Sequence, residues 1–210
     1  FPIGAKRVLF NDDYYPALSR PNVELVTDAI DRIEPEGVRS RTGELHAADV
    51  IIYATGFKST DFLAPMQITG RDGLDLKQEW AKGAHAYLGV TVTGFPNFFM
   101  LYGPNTNLGH NSILVMIEAQ VGYILDALAK MKTRGVKRID VKRDVLETYN
   151  RNLQQDLARS VWAATGASWY KLADGTITNN WPHSTMRYRR LLRKTDLADY
   201  ETTPLTVPRR

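Results

Sequence analysis

Residues 97–131 hold an apolar run, a polar loop and a long apolar stripe in that order, and few architectures accept all three. Phe98, Phe99, Met100 and Leu101 follow one another directly. Such an uninterrupted run predicts a strand over 97–102 covered on both faces, as in parallel α/β sheets. Gly103-Pro104 closes it, and a polar, glycine-containing loop runs on to Asn111. From there Ile113, Met116, Ile117, Gln120, Val121, Ile124, Leu125, Leu128 and Met131 recur at three- and four-residue spacing. That period predicts a long amphipathic helix, with Ser112 as its N-cap and Gly135 as its stop. A loop that leaves a buried strand and enters a helix N-terminus is where open α/β sheets hold ligands. The unpaired N–H groups and the helix dipole there favour negative charge, so this loop is expected to open onto a cavity.

The flanking chain fits the same class. Residues 22–56 read as short strands: an apolar run at 23–26, alternation at 37–41 before Thr42-Gly43, and Val50-Ile51-Ile52-Tyr53 closed by Gly56. Residues 57–96 look loop-rich, with Trp80 as an anchor. A short strand at 139–141 precedes a second helix, in which Val145, Tyr149, Leu153, Leu157 and Val161 form a strict i, i+4 stripe. After Gly166 the chain turns aromatic and irregular. There is no internal repeat and no low-complexity linker.

Composition removes whole classes of function. With 210 residues, 43% of them hydrophobic, the chain is globular and has the length of one domain or of pieces of two. It has no cysteine, which excludes disulfides, thiolate metal sites and Cys nucleophiles. His46, His85, His110 and His183 lie far apart, without metal-ligand spacing. No G-x-S-x-G, Walker A, H-E-x-x-H or G-x-G-x-x-G occurs. The net charge of +4 gathers near Arg187, Arg189, Arg190, Arg193 and Lys194, but no nucleic-acid reading module accompanies it. No apolar run approaches the ~20 residues of a membrane span, and no signal peptide is visible. A cytoplasmic location is the default expectation.

Four segments, taken in order, carry a resemblance. They are Pro2-Ile3-Gly4-Ala5-Lys6-Arg7 with Asp12-Asp13-Tyr14-Tyr15 and Arg20-Pro21-Asn22-Val23; DVIIYATGF at 49–57; GFPNFFMLYGPNTNLGHNS at 94–112; and Ser168-Trp169-Tyr170 with Trp181-Pro182. The series resembles the C-terminal half of class B flavin monooxygenases of the Baeyer–Villiger type. From Ser160 onward it is most similar to the 4-hydroxyacetophenone monooxygenase branch. Alanine at positions 5 and 167 departs from the family's usual cysteine, and neither position needs a thiol for flavin chemistry.

The resemblance implies an α/β fold: the C-terminal portion of a flavoprotein with two Rossmann-like FAD/NAD(P)-binding domains. Residues 1–56 would end the NADP-binding domain, and 57–210 would belong to the FAD-binding domain with an irregular tail. It implies FAD and NADPH as cofactors, a ketone and O2 as substrates, and as partner the N-terminal half of the enzyme, which carries both Gly-rich loops. The implied reaction inserts oxygen beside a ketone carbonyl. Oxygenation of nitrogen or sulfur, or a truncated binding module without turnover, are the other readings. Arg7 matches the catalytic arginine, whose planar, permanent cation suits an anionic oxidant and adduct. Lys6 matches the residue that meets the NADPH 2′-phosphate. Thr55 and Gly56 match the turn between domains. Pro104, Asn105, Asn111, Ser112 and Ile113 match the flavin-facing loop and helix start, and Trp169 matches a contact to the NADP ribose and nicotinamide.

Overall fold

A computed structural model describes residues 3–7, 9–166 and 168–205. Pro2 and Ala167, both quoted above, lie outside the described residues. The chain divides into two compact units, Leu9–Phe57 and a larger one made of Phe1–Val8 with Lys58–Arg210.

The smaller unit contains helix α1 (Tyr14–Leu18) and strands β1 (Ile30–Glu34), β2 (Gly37–Ser40) and β3 (Leu45–Ala47). The strands form an antiparallel meander in the order β1-β2-β3, with Ile33 opposite Val38 and Val38 opposite His46. Arg39 grips Glu34 through both carboxylate oxygens, each at 2.7 Å, and Arg32 adds a third contact at 2.8 Å. The Arg39 bond, reinforced by both cations, holds the Glu34 carboxyl down to about 2.

The alternation at 37–41 thus forms the expected strand, whereas 23–26 and 50–53 form none. A strand exists only where at least one neighbouring segment supplies its hydrogen-bond ladder. Among the described residues nothing pairs with 50–53, and Val50, Ile52 and Tyr53 lie exposed.

The larger unit contains α2 (Leu76–Glu79), α3 (Ile113–Thr133), β4 (Val136–Val141), α4 (Arg143–Leu157), α5 (Thr185–Leu191) and β5 (Tyr200–Pro204). The long helix begins where the spacing puts it, with Ser112 Oγ accepting from the Leu114 N–H at 3.3 Å. Its buried face is Met116, Gln120, Tyr123, Ala127 and Met131, whereas Val121, Leu125 and Leu128 of the stripe face outward. The stripe of α4 buries Leu153 and Leu157 in the same core, with Val145 and Tyr149 at its margin.

Strands β4 and β5 pair antiparallel, Val141 opposite Tyr200 and Ile139 opposite Thr202. Neither α5 nor β5 shows in the sequence pattern. Helix α5 is one short stretch with Thr185 and Tyr188 inward and its arginines outward, and β5 carries one large apolar residue, Tyr200. The architecture is therefore mixed α and β, and every named strand pairing is antiparallel.

The run at 97–102 is not a strand, which corrects the expectation. Asn97 and Tyr102 both adopt positive φ, 59° and 56°, so the chain turns at each end. In between, Phe98 and Met100 pack into a small core around Trp80 and Phe95, while Phe99 packs against the main core around Trp181 and Tyr188. The run is apolar because it bridges two cores, and its backbone bonds go to separate partners rather than to one ladder: Asn97 N–H to Ile139 O at 2.9 Å and Met100 N–H to Val90 O at 2.8 Å.

Candidate functional site

The site is assembled by four segments of the larger unit. Residues 3–7 are seated on the stretch around 161–170. The Ala5 side chain is buried and its carbonyl accepts from Ser168 Oγ at 3.0 Å, while Gly4 lies against Val161 and Trp162 so closely that a Cβ would come within 2.9 Å. This seating leaves Lys6 and Arg7 exposed beside Ser168-Trp169-Tyr170. The Trp169 and Tyr170 rings stand 5.0 Å apart, and the Trp169 carbonyl accepts from Ser59 Oγ, whose own carbonyl accepts from Asn179 Nδ2 at 3.1 Å.

Tyr102 completes the patch. Burial raises its phenol pKa, the charge of Arg7 opposes that rise, and the Tyr170 phenol adds to it. Desolvation prevails over the cation. Tyr102 Oη donates to Asn107 Oδ1 at 2.8 Å and its N–H to Gln120 Oε1 at 2.9 Å.

Behind it, the loop at 103–108 is fastened to 177–181. The Asn105 N–H donates to Thr178 O at 2.7 Å, Asn105 Nδ2 to Ile177 O at 2.7 Å, and Asn107 Nδ2 to Asn180 Oδ1 at 2.7 Å. Trp181 N–H closes the run on Asn107 O. Pro104 and Asn105 are buried in this seam, so the amide of Asn105 is used up in holding the loop. The expectation of a loop open to a cavity is corrected here: the loop itself is packed, and what lies open is the helix start. Cavities lie elsewhere: one of about 420 Å³ is walled by Phe62, Leu63, Met66, Ile68, Trp80 and Leu172, and another of about 410 Å³ by Arg71, Leu74, Thr93 and Arg143.

At that helix start Asn111 and Ser112 are exposed and Ile113 half-buried. Asn111 Oδ1 accepts the Ser112 N–H at 2.7 Å, and its Nδ2 donates to Thr185 Oγ1 at 3.2 Å. Two N-terminal donors, those of Ser112 and Leu114, are thus already capped by side chains. Thr55 and Gly56 belong to the smaller unit, where both are exposed. The structure therefore seats the segment that ends in Lys6 and Arg7 on Ser168, the neighbour of Trp169, and holds Pro104, Asn105, Asn111, Ser112 and Ile113 along one loop and helix start.

Tyr102, Tyr170 and Gln120 were not among the expected site residues. Gln120 was findable: a lone amide within an apolar stripe must find buried partners. The histidines stay structural or solvated, with His183 Nε2 2.8 Å from Asp156 Oδ2 and His110 exposed. Among the described residues no three His, Asp or Glu side chains are grouped to hold a metal, and no helix is long and apolar enough to cross a membrane.

No family model matches the chain. A Baeyer–Villiger monooxygenase of Pseudomonas aeruginosa is 44% identical over 211 residues, covering 99% of this chain and 40% of that protein. The FAD-binding monooxygenase ktnD of Aspergillus niger is 43% identical over 205 residues, covering 95% of this chain and 34% of its own. The solved structure of OTEMO in complex with FAD and NADP superposes with a TM-score of 0.85 at 29% identity, covering 97% of this chain and 40% of that one. The chain is homologous over most of its length to Baeyer–Villiger monooxygenases, and it spans about 34–40% of the length of these relatives.

Proposed function

We propose that this chain is the C-terminal portion of an FAD- and NADPH-dependent monooxygenase that converts a ketone, with O2, into an ester or lactone. The observation that carries the reading is the meeting of Lys6-Arg7 with Trp169, Tyr170 and Tyr102 in one patch, in a chain homologous to Baeyer–Villiger monooxygenases. On this reading, residues 1–56 end the NADP-binding domain and 57–210 belong to the FAD-binding domain of a Rossmann-like flavoprotein. The tail from Ser160 supports the 4-hydroxyacetophenone branch.

The donor set suits the cofactors in part. The start of the 21-residue α3, where Asn111 and Ser112 are exposed, would offer the positive end of its dipole to the electron-rich carbonyls of a reduced flavin, while the Ser112 and Leu114 N–H groups stay with their side-chain caps. The pyrophosphate has no Gly-rich loop in this sequence, so its contacts fall to the N-terminal half. FAD, when bound, supplies the activation of O2.

The residues of this chain do the rest. Arg7 presents a planar guanidinium, fit to stabilise negative charge developing on oxygen. Lys6 offers a compact cation to a phosphate. Trp169, half in solvent and braced on Tyr170, offers a flat face to the ribose and nicotinamide.

The test is kinetic, on the whole gene product. Arg7→Lys keeps the charge and loses the planar fork. Flavin reduction by NADPH is expected to survive while ester formation falls by about a hundredfold or more. Lys6→Ala is expected to raise the KM for NADPH about tenfold, the loss of one charge-assisted phosphate contact. Near-normal ester formation by Arg7→Lys at saturating NADPH overturns the assignment. The 210-residue chain alone is expected to bind FAD weakly and to oxidise no ketone; a stoichiometric flavin spectrum with ester formation overturns that part.

A further inference from the structure

Tyr102 is held in an unusual way. A large side chain at φ 56° is uncommon, and such residues persist only where their surroundings impose them. Here the surroundings are a polar chain through the core. The Tyr102 N–H donates to Gln120 Oε1 at 2.9 Å, Gln120 Nε2 donates to Tyr188 Oη at 2.9 Å, and Tyr188 Oη donates to Leu88 O at 2.6 Å. Gln120 and Tyr188 are both fully buried. A saturated network of this kind fixes one geometry, and what it fixes is the backbone of a residue whose side chain is 45% exposed beside Arg7.

The phenol has its own chain. Tyr102 Oη donates to Asn107 Oδ1, and Asn107 Nδ2 donates to Asn180 Oδ1. Asn180 is 1% exposed, and its Nδ2 is left buried without a partner. An orphaned buried N–H is costlier than an orphaned carbonyl oxygen, which has lone pairs to spare. Turning both amides over relieves it. Asn180 then donates to Asn107 Oδ1, Asn107 donates to the phenol oxygen, and the phenol proton is released to an acceptor outside the chain. Both residues can turn in place, because the turn exchanges one amide–amide bond for another while the backbone bonds of Asn107 to Asn179 and Trp181, and those of Asn105, keep the loop fastened.

We infer that Tyr102 donates this proton in a hydrogen bond to the carbonyl oxygen of a bound ketone, beside Arg7, with Asn107 and Asn180 setting the direction of the bond. The inference rests on the proposed ketone chemistry for its ligand class. An uncharged carbonyl oxygen accepts one such bond in the ground state, and the bond strengthens as negative charge develops there.

The experiment places 3-fluorotyrosine at position 102 of the whole gene product and follows its single fluorine resonance. Acetophenone is the probe, and ethylbenzene, which lacks the carbonyl oxygen, is the control. The resonance is expected to shift saturably with acetophenone and not with ethylbenzene. Asn107→Asp, which can only accept, keeps the phenol proton inward and is expected to abolish the response. Tyr102→Phe is expected to raise the KM for acetophenone about tenfold.

Equal responses to both probes, no response to either, or an unaltered response in Asn107→Asp overturns the inference. Should Tyr102→Phe fail to fold, the fluorine measurement decides alone. A ketone-dependent shift in a protein that forms no ester refutes the proposed function and leaves Tyr102 as a carbonyl-binding residue. Ester formation with a silent fluorine and an unchanged KM refutes Tyr102 and leaves the proposed function standing.

Discussion

The two units are held together by different forces. In the larger one, Trp181, Tyr123, Tyr188, Met116 and Leu157 are almost completely buried, and their core is stitched by buried amides and hydroxyls. In the smaller one, the only fully buried strand positions are Gly37 and Ser40, while Val50 and Ile52 are 78% and 85% exposed. Its order comes from a backbone ladder and from the clasp of Arg39 and Arg32 on Glu34. Burial scales with the apolar area removed from water, whereas exposed ion pairs contribute little. Similar sequence signals, apolar runs ended by glycine, therefore produce a packed core in one unit and a surface in the other.

The sharpest way to break this contrast is to truncate an aromatic side chain in each unit and measure denaturant unfolding. Trp181→Ala removes a fully buried indole that stands edge-on to Tyr188 at 5.1 Å, and is expected to cost about 3–5 kcal/mol. Tyr53→Ala alters an exposed ring and is expected to stay within about 0.5 kcal/mol. Comparable losses at the two sites would mean that Tyr53 is covered in solution.

Glycine substitution gives the next largest difference. At Gly89, φ is 68° and an added Cβ would sit 2.2 Å from Thr106 Cγ2 and 3.0 Å from Pro104 O, in the seam behind the candidate site. Gly89→Ala is expected to cost about 3 kcal/mol or more. Gly56 has φ 82° but open space around it, so Gly56→Ala is expected to cost only the backbone strain, about 1 kcal/mol. Thermal melts of the two variants check this.

The smallest effects are electrostatic and are read against pH. Asp140 in the larger unit is buried. Its Oδ1 accepts from the Gly94 N–H at 2.9 Å, its Oδ2 has no hydrogen bond, and Arg71 stands off at 3.7 Å. Burial raises its pKa despite that cation, so its contribution is favourable below the ordinary carboxyl range and is lost as pH rises through the raised value. Asp140→Asn is therefore expected to melt higher at pH 7, by about 1 kcal/mol of stability, with the gap closing below about pH 4.

Glu34 in the smaller unit has the opposite sign. With its pKa held down to about 2, its contribution is present above the ordinary value of 4.5 and fades as pH falls through about 2. Glu34→Gln is expected to speed amide exchange over 37–40 modestly at pH 7, and added salt to shrink the difference. A variant indistinguishable from wild type at low salt would remove the clasp as a source of order.

What the sequence determined by itself was whatever local chemistry specifies. The bounds of α3, the cap at Ser112, the stripe of α4 as far as Leu157 (Val161, expected as its last member, lies past the helix and is exposed) and the turn after β2 follow from spacing and side-chain type, because a helix or a tight turn closes its bonds within a few residues. The expectation that Arg7 and Trp169 serve one site came only through resemblance; the bond that seats their segments on each other, Ser168 Oγ to Ala5 O, has no signal in the sequence.

Tertiary structure decided the rest, since it depended on partners distant in sequence. Residues 50–53 carry a strand's composition, but a strand exists only where another chain segment supplies its ladder. Residues 97–102 are apolar for two separate cores rather than for the two faces of one sheet. Strand β5 forms because β4 offers an edge, and its own side chains give no sign of it. The seating of Ala5 on Ser168, the seam between 103–108 and 177–181, and the core amide that holds Tyr102 all join residues far apart in sequence. Periodicity reports which side of an element is apolar, and it is silent on what that side will meet.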